Sequence, residues 1–308
     1  MLQVIILCPL FNDETSFNIF AAAVEKTTNE IAGHQFSLLV VNDGSSQKPR
    51  LQTGLPATVL HLHRNMGHQK AIAIGLAYAH HHLTFDKIVV MDGDGEDRPE
   101  QIETLLQSSS EEHIVFARRG KRNNSRRFKL LYRLYQLLFT VLTGKRIAFG
   151  NFMVLSKTHV ARLVYLSEIW NHLAGAILKS RLPYTAVVLH RGNRYSGQSK
   201  MNFTSLLLHG LGALGVFIEV IATRLVLFSI SMIAASVLAI LIIVMIRFFT
   251  NAAIPGWATA AFSSMLIILL QSLLLSLFTI FLYLSSQSQR QFIPANHYTD
   301  YLNSVEQL

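Results

Sequence analysis

Two hydrophobic regimes divide the chain. Up to about residue 200, short apolar runs at 4–7, 38–41, 58–62, 88–91 and 114–117 alternate with segments of helical spacing at about 15–32, 69–81 and 99–108. Four or five apolar residues bounded by turn residues predict a buried strand. Alternation of such strands with helices predicts a mostly parallel α/β sheet with helices on both faces. Residues 203–220 are apolar with interspersed glycines and predict an amphipathic segment lying along a membrane surface. Residues 225–246 carry no charge, are bracketed by Arg224 and Arg247, and as a helix would run about 33 Å, enough to cross hydrocarbon. A second uncharged run, 258–284, follows a short loop with Pro255 and Gly256, so the two predict a transmembrane hairpin. The competing reading is a hairpin buried in a soluble core. The expected organisation is a catalytic domain at 1–200, a juxtamembrane segment at 201–224, two membrane helices within 225–284 and a tail at 285–308. The polar, patternless tail predicts a flexible segment.

In open parallel sheets, ligands bind beyond the carboxyl ends of the strands, and here those ends are polar. The fourth strand runs straight into Asp92-Gly93-Asp94-Gly95-Glu96-Asp97-Arg98-Pro99. Glycines permit a tight turn that brings carboxylates together, and carboxylate oxygens suit Mg²⁺ or Mn²⁺ shared with substrate phosphates. The first strand leads into Pro9-Leu10-Phe11-Asn12-Asp13-Glu14 and the second into Asn42-Asp43-Gly44-Ser45-Ser46. The third leads into Arg64-Asn65-Met66-Gly67-His68-Gln69, opening a helix whose free N–H groups can face an anion. Each loop alone is ordinary turn and capping chemistry. Their convergence on one sheet edge is what points to a site.

Charge narrows the partners. With 27 Lys and Arg against 18 Asp and Glu, the formal net charge is +9, which favours phosphates, nucleotides or anionic headgroups. No nucleic-acid module accompanies it, so nucleic acid is not an expected partner. Residues 118–133 interleave Arg119, Arg126 and six further cations with apolar residues, predicting a helix that grips phosphates or rests on anionic lipid. The segment holding Arg194, Gly197, Ser199 and Lys200 offers small residues and donors suited to phosphate oxygens. His61, His63 and His80 to His82 lack accompanying ligands and read as strand-end or surface histidines. A single cysteine, Cys8, excludes a disulfide framework, reads as a small buried hydrophobe and fits a reducing compartment. The apolar start lacks a basic leader and runs into Pro9, so it reads as a strand rather than a signal peptide.

Taken together, these loops resemble the family 2 glycosyltransferases, inverting enzymes of GT-A fold, and their membrane-anchored branch of dolichol-phosphate mannosyltransferases and bacterial polyprenyl-phosphate glycosyltransferases. The family's P-x-Y-N-E is matched by Pro9, Phe11, Asn12 and Asp13, and its D-D-G-S by Asn42, Asp43, Gly44 and Ser45. Its R-N-x-G is matched by Arg64 to Gly67, its D-x-D-x-Q-D-x-P by Asp92, Asp94, Asp97 and Pro99, with Glu96 at the glutamine, and its R-x-x-G-x-S-K by Arg194, Gly197, Ser199 and Lys200. The resemblance covers about residues 3–220, and the order and spacing of the motifs make it specific. It implies a nucleotide-sugar donor contacted by Pro9, Phe11, Asn12, Asp13, Asp43, Asn65, Gly67, Asp92 and Asp94. It implies Mg²⁺ or Mn²⁺ held by Asp94 and Glu96, with Asp92 and Asp94 catalytic. Arg119, Arg126, Arg194, Ser199 and Lys200 would meet acceptor phosphate.

Relatives usually carry an acid shortly before the glycine at 150. Here Ala148-Phe149 precedes Gly150 and Asn151 is an amide, so no general base carries over and Glu168 is the substitute considered. A phosphate oxygen is already anionic near neutrality and needs positioning more than deprotonation. The expectation is therefore transfer from a nucleotide sugar (UDP-hexose favoured, GDP-mannose the alternative) to polyprenyl phosphate for cell-envelope glycan synthesis. The enzyme would sit in the inner membrane with two spans, both termini cytoplasmic, and homo-oligomerisation left open. The rival readings are transfer to a lipid-linked saccharide, and a non-catalytic membrane partner keeping the fold.

Overall fold

A computed structural model describes residues 1–119, 126–146, 150–196, 203–250, 256–288 and 292–308. The chain forms two compact units, one of Met1–Leu137, Lys145–Val216 and Gln291–Leu308, the other of Leu138–Gly144 and Phe217–Arg290. The first opens with β1 (Leu2–Leu10), α1 (Glu14–Asn29), β2 (His34–Asn42), β3 (Ala57–Leu62), α2 (His68–His82) and β4 (Lys87–Val90). A 3₁₀ turn at Pro99–Gln101 leads into α3 (Ile102–Gln107), then β5 (Ile114–Arg119), α4 (Arg126–Thr143) and β6 (Met153–Ser156). Next come α5 (Lys157–Leu163), α6 (Leu173–Ser180), β7 (Tyr184–Leu189) and α7 (Phe203–Gly215). The basic stretch is thus not one helix. Arg118 and Arg119 close β5, whose pairing with β7 persists to Arg119 opposite Leu189, and α4 is described from Arg126.

The eight strands form one sheet in the order β7-β5-β6-β4-β1-β2-β3-β8, where β8 is Leu302–Gln307. β1 pairs in parallel with β2 and β4, and β2 with β3; β6 and β8 run antiparallel to their neighbours. The sheet is mostly parallel, as the apolar runs predict. One core packs α1 and α3 onto one face through Phe17, Phe20, Val24, Ile102 and Leu105. A second packs α2, α5 and α6 onto the other through Ile72, Leu76, Val160 and Ile177. α2 lies close because Gly75 has no side chain: a Cβ there would sit 2.5 Å from Leu7 and 2.9 Å from Val41.

The tail is not the flexible segment its composition predicts. α10 (Pro294–His297) and a 3₁₀ turn at Tyr298–Tyr301 lead into β8, which pairs antiparallel with β3, Leu60 opposite Val305. His81 Nε2 lies 3.1 Å from the Ala295 carbonyl oxygen and His82 Nε2 lies 2.7 Å from Tyr298 Oη, while Trp170 packs on Phe292 and Tyr301. His61 is buried between Asn42 and Glu306, at 3.0 and 3.1 Å. Asn42 Oδ1 accepts the Ser45 N–H, so its amide donates to His61 Nδ1, and His61 Nε2–H faces Glu306. The histidines are therefore fasteners between helix, strand and tail. Short polar strands of this kind carry no local signal, because the open edge of β3 supplies their partner.

In the second unit, α8 (Ile218–Phe249) and α9 (Trp257–Ser288) pack against each other. Both extend past the predicted spans, and both are long and apolar enough to cross a membrane. Ser229, Ser236 and Ile243, spaced seven apart on α8, are buried, as are Ser272, Ser276 and Thr279 on α9. Leu227, Phe228, Leu274 and Phe281 face outward at 57 to 66% exposure. Small polar residues inside and large apolar ones outside invert the soluble pattern and match helix packing in lipid, where close approach rather than hydrophobic burial holds helices together.

Removing Leu302–Leu308 would leave β3 an open edge and His61 without Glu306. The truncated chain is expected to melt several degrees lower in detergent and to self-associate with concentration. Scanning fluorimetry and size-exclusion chromatography check this; an unchanged melting curve would deny the tail a structural role.

Candidate active site

Strand order reverses between β1 and β4, so their carboxyl ends flank a crevice at the topological switch point of the sheet. Register brings the loops level: Leu10 lies opposite Asn42, Asn42 opposite His61, and Leu7 opposite Val90. Asn12, held at φ +50°, ties the first loop to the second. Its N–H donates to Ser45 Oγ (2.9 Å), and its side-chain oxygen accepts the Ser46 N–H (2.8 Å) and hydroxyl (3.0 Å). Asp43, 3% exposed, ties the second loop to the third by accepting the N–H groups of Met66 (2.6 Å) and Gly67 (2.9 Å). Burial pushes the Asp43 carboxyl above its usual range, although those donors, His68 and Lys70 pull the other way. Gly44 (φ +66°) admits no side chain, since a Cβ would meet the Arg64 carbonyl carbon at 2.3 Å.

The acidic turn beside them is compensated from several sides. Asp97, 4% exposed, accepts the Asp92 N–H at 3.0 Å, and Asp94 Oδ1 accepts the Glu96 N–H at 2.9 Å. Arg194 donates to Asp94 Oδ2 at 2.6 Å and approaches Asp13 at 3.9 Å, while Arg191 pairs with Glu96. The covering segment is held by main-chain bonds from Tyr195 N to Asp94 O and from Gly192 N to Glu96 O, both 2.9 Å. Opposite, His68 Nε2 stands 3.2 Å from Asp92 Oδ1 and 2.9 Å from Asn151 Nδ2. Burial disfavours the His68 charge, but Asp92, and more distantly Asp97 and Asp43, raise its pKa overall. Beneath the turn, Cys8 is wholly buried, with burial and the Asp92 charge raising its thiol pKa. Such a crevice, acidic at its centre and rimmed by guanidinium groups, can take a diphosphate together with a cation.

The match to the model of glycosyl transferase family 2 spans residues 6–170, over half of the chain and all four of these loops. The chain belongs to glycosyl transferase family 2. It is 24% identical over 276 residues to the uncharacterized glycosyltransferase YkcC of Bacillus subtilis, covering 84% of this chain and 81% of that protein. It is 25% identical over 224 residues to an undecaprenyl-phosphate 4-deoxy-4-formamido-L-arabinose transferase of an Enterobacter species, covering 67% and 64%. Among solved structures, glucosyl-3-phosphoglycerate synthase from Mycobacterium tuberculosis, in complex with Mn²⁺, UDP and phosphoglyceric acid, aligns with a TM-score of 0.48 at 14% identity, covering 71% of this chain and 78% of that one.

On this glycosyltransferase scaffold Asn12, Asp13, Asp43, Gly67, Asp92, Asp94, Glu96 and Arg194 come to one sheet edge, with Pro9 still within β1, Phe11 39% exposed and Asn65 exposed. Among the described residues no group of three or more His, Cys, Asp or Glu side chains gathers as a metal cage. Arg119 and Arg126 are placed by their backbones, ending β5 and opening α4; their side chains, and all of Ser199 and Lys200, lie outside the described residues. Glu168 is engaged by Lys179 at 2.8 Å. Burial pushes its pKa up, yet the Lys179 and Ser167 hydrogen bonds outweigh that and hold it below the usual range, which suits a base poorly. Sequence reasoning gave His68 and Arg191 no role of their own and noted Asn151 only as an amide near the missing acid. Their only signal was adjacency to motifs already noted.

Asp43→Asn would present one carbonyl oxygen and one NH₂ group to two N–H donors. It is expected to cost about 1–3 kcal/mol by leaving a donor unpaired, read as a lower melting temperature, with nucleotide affinity falling in parallel; unaltered stability would break the assigned loop clasp.

Proposed function

We propose that the protein is a membrane-bound inverting glycosyltransferase that moves one sugar from a nucleotide-sugar donor, UDP-hexose favoured, to polyprenyl phosphate at the cytoplasmic face. The observation that carries the reading is the switch-point crevice, where Asp13, Asp94 and Glu96 face Arg194 and Arg191. Two carboxylates rather than a full cage suit Mg²⁺ or Mn²⁺, which share coordination with substrate phosphates and water. Asp94 and Glu96 would hold the ion, and when bound it offsets the charge gained by the departing nucleoside diphosphate. Arg194 and Arg191 would turn from the carboxylates to phosphate oxygens. Asn12, Asp13, Asp43 and Asp92 would frame the nucleoside side of the crevice, and Asn65 and Gly67 its third loop.

Inversion requires an acceptor oxygen to attack the anomeric carbon from the face opposite the leaving group. A C–O bond forms, the donor C–O bond breaks, and its electron pair leaves with the diphosphate. A phosphate monoester supplies that oxygen without a base, consistent with Asn151 where relatives have acid nearby and with Glu168 held by Lys179. Likeness to the undecaprenyl-phosphate transferase of Enterobacter supports a lipid-phosphate acceptor.

Membrane attachment is supported by the outward leucines and phenylalanines of α8 and α9. Topology adds a constraint: β8 follows both helices yet belongs to the sheet that precedes them. If each helix crosses once, the chain returns to the side it left. Domain and tail then share one face, cytoplasmic in this reading.

Membranes carrying the full chain, given labelled UDP- and GDP-sugars with polyprenyl phosphate and Mn²⁺, are expected to yield a sugar-phosphate lipid. Asp94→Asn should lower that yield by about two orders of magnitude without changing insertion. Label found only on a lipid-linked saccharide, or full activity in the variant, would overturn the reading.

A further inference from the structure

The last strand of the chain reaches the donor loops through a series of hydrogen bonds in which each nitrogen has one role. The Ser45 N–H donates to Asn42 Oδ1 at 3.1 Å. A main-chain N–H is only a donor, so the other arm of the Asn42 amide, Nδ2, is the one that faces His61 Nδ1 at 3.0 Å. An amide NH₂ group only donates, so His61 Nδ1 accepts and the ring proton sits on Nε2. Nε2 stands 3.1 Å from Glu306 Oε2 and donates to it. That carboxylate also takes Lys48 Nζ at 2.9 Å. The hydrogen bonds from Lys48 and then His61 hold its pKa below the usual carboxyl range, which keeps it an acceptor. At the other end, Ser45 Oγ accepts the Asn12 N–H at 2.9 Å, and Asn12 Oδ1 accepts from Ser46. Asn42 and His61 are 4% and 6% exposed, so the middle of the series is buried while its ends lie on the outer strand and at the crevice.

We infer that Glu306 and His61 are positioning residues for the donor site: the carboxylate fixes the imidazole, the imidazole fixes the Asn42 amide, and that amide shapes the turn at 42–46 against the first loop. The inference rests on the proposed donor site, in which Asn12 and Asp43 frame the nucleoside. Packing alone does not call for this arrangement. The neighbours of His61 on β3, Leu60 and Leu62, are apolar and buried, and an apolar residue at 61 would have no hydrogen bond to satisfy. Two buried polar side chains in series are costly unless each is paired. Register explains how a residue so far along the chain takes part. Asn42 lies directly opposite His61. On the other side Ser304 lies opposite His61 and Glu306 opposite Val59, so Glu306 meets the imidazole diagonally on the same face, a span that a long side chain can cross. Asp43 follows Asn42 directly and clasps Met66 and Gly67, so the amide that the series holds adjoins the residue joining the second and third loops.

Four variants of the full chain test this in detergent or nanodiscs. Amide hydrogen exchange reads the turn at 43–46, calorimetry reads UDP and GDP binding in Mn²⁺, and turnover with polyprenyl phosphate gives donor and acceptor KM. Glu306→Ala is expected to quicken exchange at 43–46, weaken nucleotide binding and raise donor KM by about threefold to tenfold, at most the worth of one hydrogen bond to a charged group. Acceptor KM should not change. Glu306→Gln keeps the length and an accepting oxygen, and should restore exchange and affinity to near those of the parent. His61→Leu fills the space without ring nitrogens and should reproduce the Glu306→Ala loss. Lys48→Ala removes only the outer cation and should leave the donor parameters unchanged. Melting temperatures of all four separate unfolding from displacement. If Glu306→Ala exchanges and binds nucleotide as the parent does, if Glu306→Gln or Lys48→Ala is as impaired as Glu306→Ala, or if the loss falls on acceptor KM, the positioning role is wrong while the donor site stands. If the parent chain itself binds neither nucleotide, the proposed function fails first and this inference with it.

Discussion

Four carboxylates, Asp92, Asp94, Glu96 and Asp97, fall within six residues at the end of a buried strand, and their mutual repulsion must be offset for the turn to exist at all. The surrounding structure supplies the offset from separate parts of the chain. Main-chain N–H groups of Asp92 and Glu96 bind Asp97 and Asp94, His68 comes from α2, and Arg191 and Arg194 come from the segment after β7. Like charges at this spacing would otherwise drive carboxyl pKa values upward. Burial of Asp97 at 4% exposure is tolerable only because its oxygen is hydrogen-bonded.

In the proposed mechanism the same requirement would make the site an exchange of cations. A protein that neutralised the turn with fixed, buried lysines would leave nothing for a metal and a diphosphate to do. Guanidinium groups could instead pass from carboxylate to phosphate, since their fork geometry serves both anions. The charge lost at the acids when the arginines turn away is what a divalent ion would restore. On the other side stand the buried amides of Gln69 and Asn151, joined by a 3.1 Å hydrogen bond.

How much of this was legible beforehand depended on whether a feature had a local signature. Strands β1 to β5 and the helices between them declared themselves through apolar runs and helical spacing, and the acidic turn through its composition. The clasp made by Asp43 was visible only as a motif residue. That both its oxygens close on Met66 and Gly67 follows from register between β2 and β3, which no local pattern encodes. β8 was unreadable for the same reason. Leu302 to Gln307 has no alternation strong enough to mark a strand, and it becomes one because β3 would otherwise end the sheet. The hydrogen bond between Gln69 and Asn151 joins residues 82 apart in sequence, a pairing that no local pattern encodes.

The return of the tail has a mechanical consequence for the whole enzyme. Because β8 closes the sheet after α8 and α9 have run their course, the chain on either side of the apolar hairpin belongs to the unit that carries the crevice. Glu306 on that strand bonds His61, whose ring faces Asn42, whose oxygen accepts from Ser45, whose hydroxyl accepts from Asn12. The last strand of the chain is thus joined by hydrogen bonds to the first loop of the site. For the lipid-borne acceptor proposed above, whose oxygen would not reach the enzyme from solution, donor loops tied to one another in this way would matter as much as the chemistry.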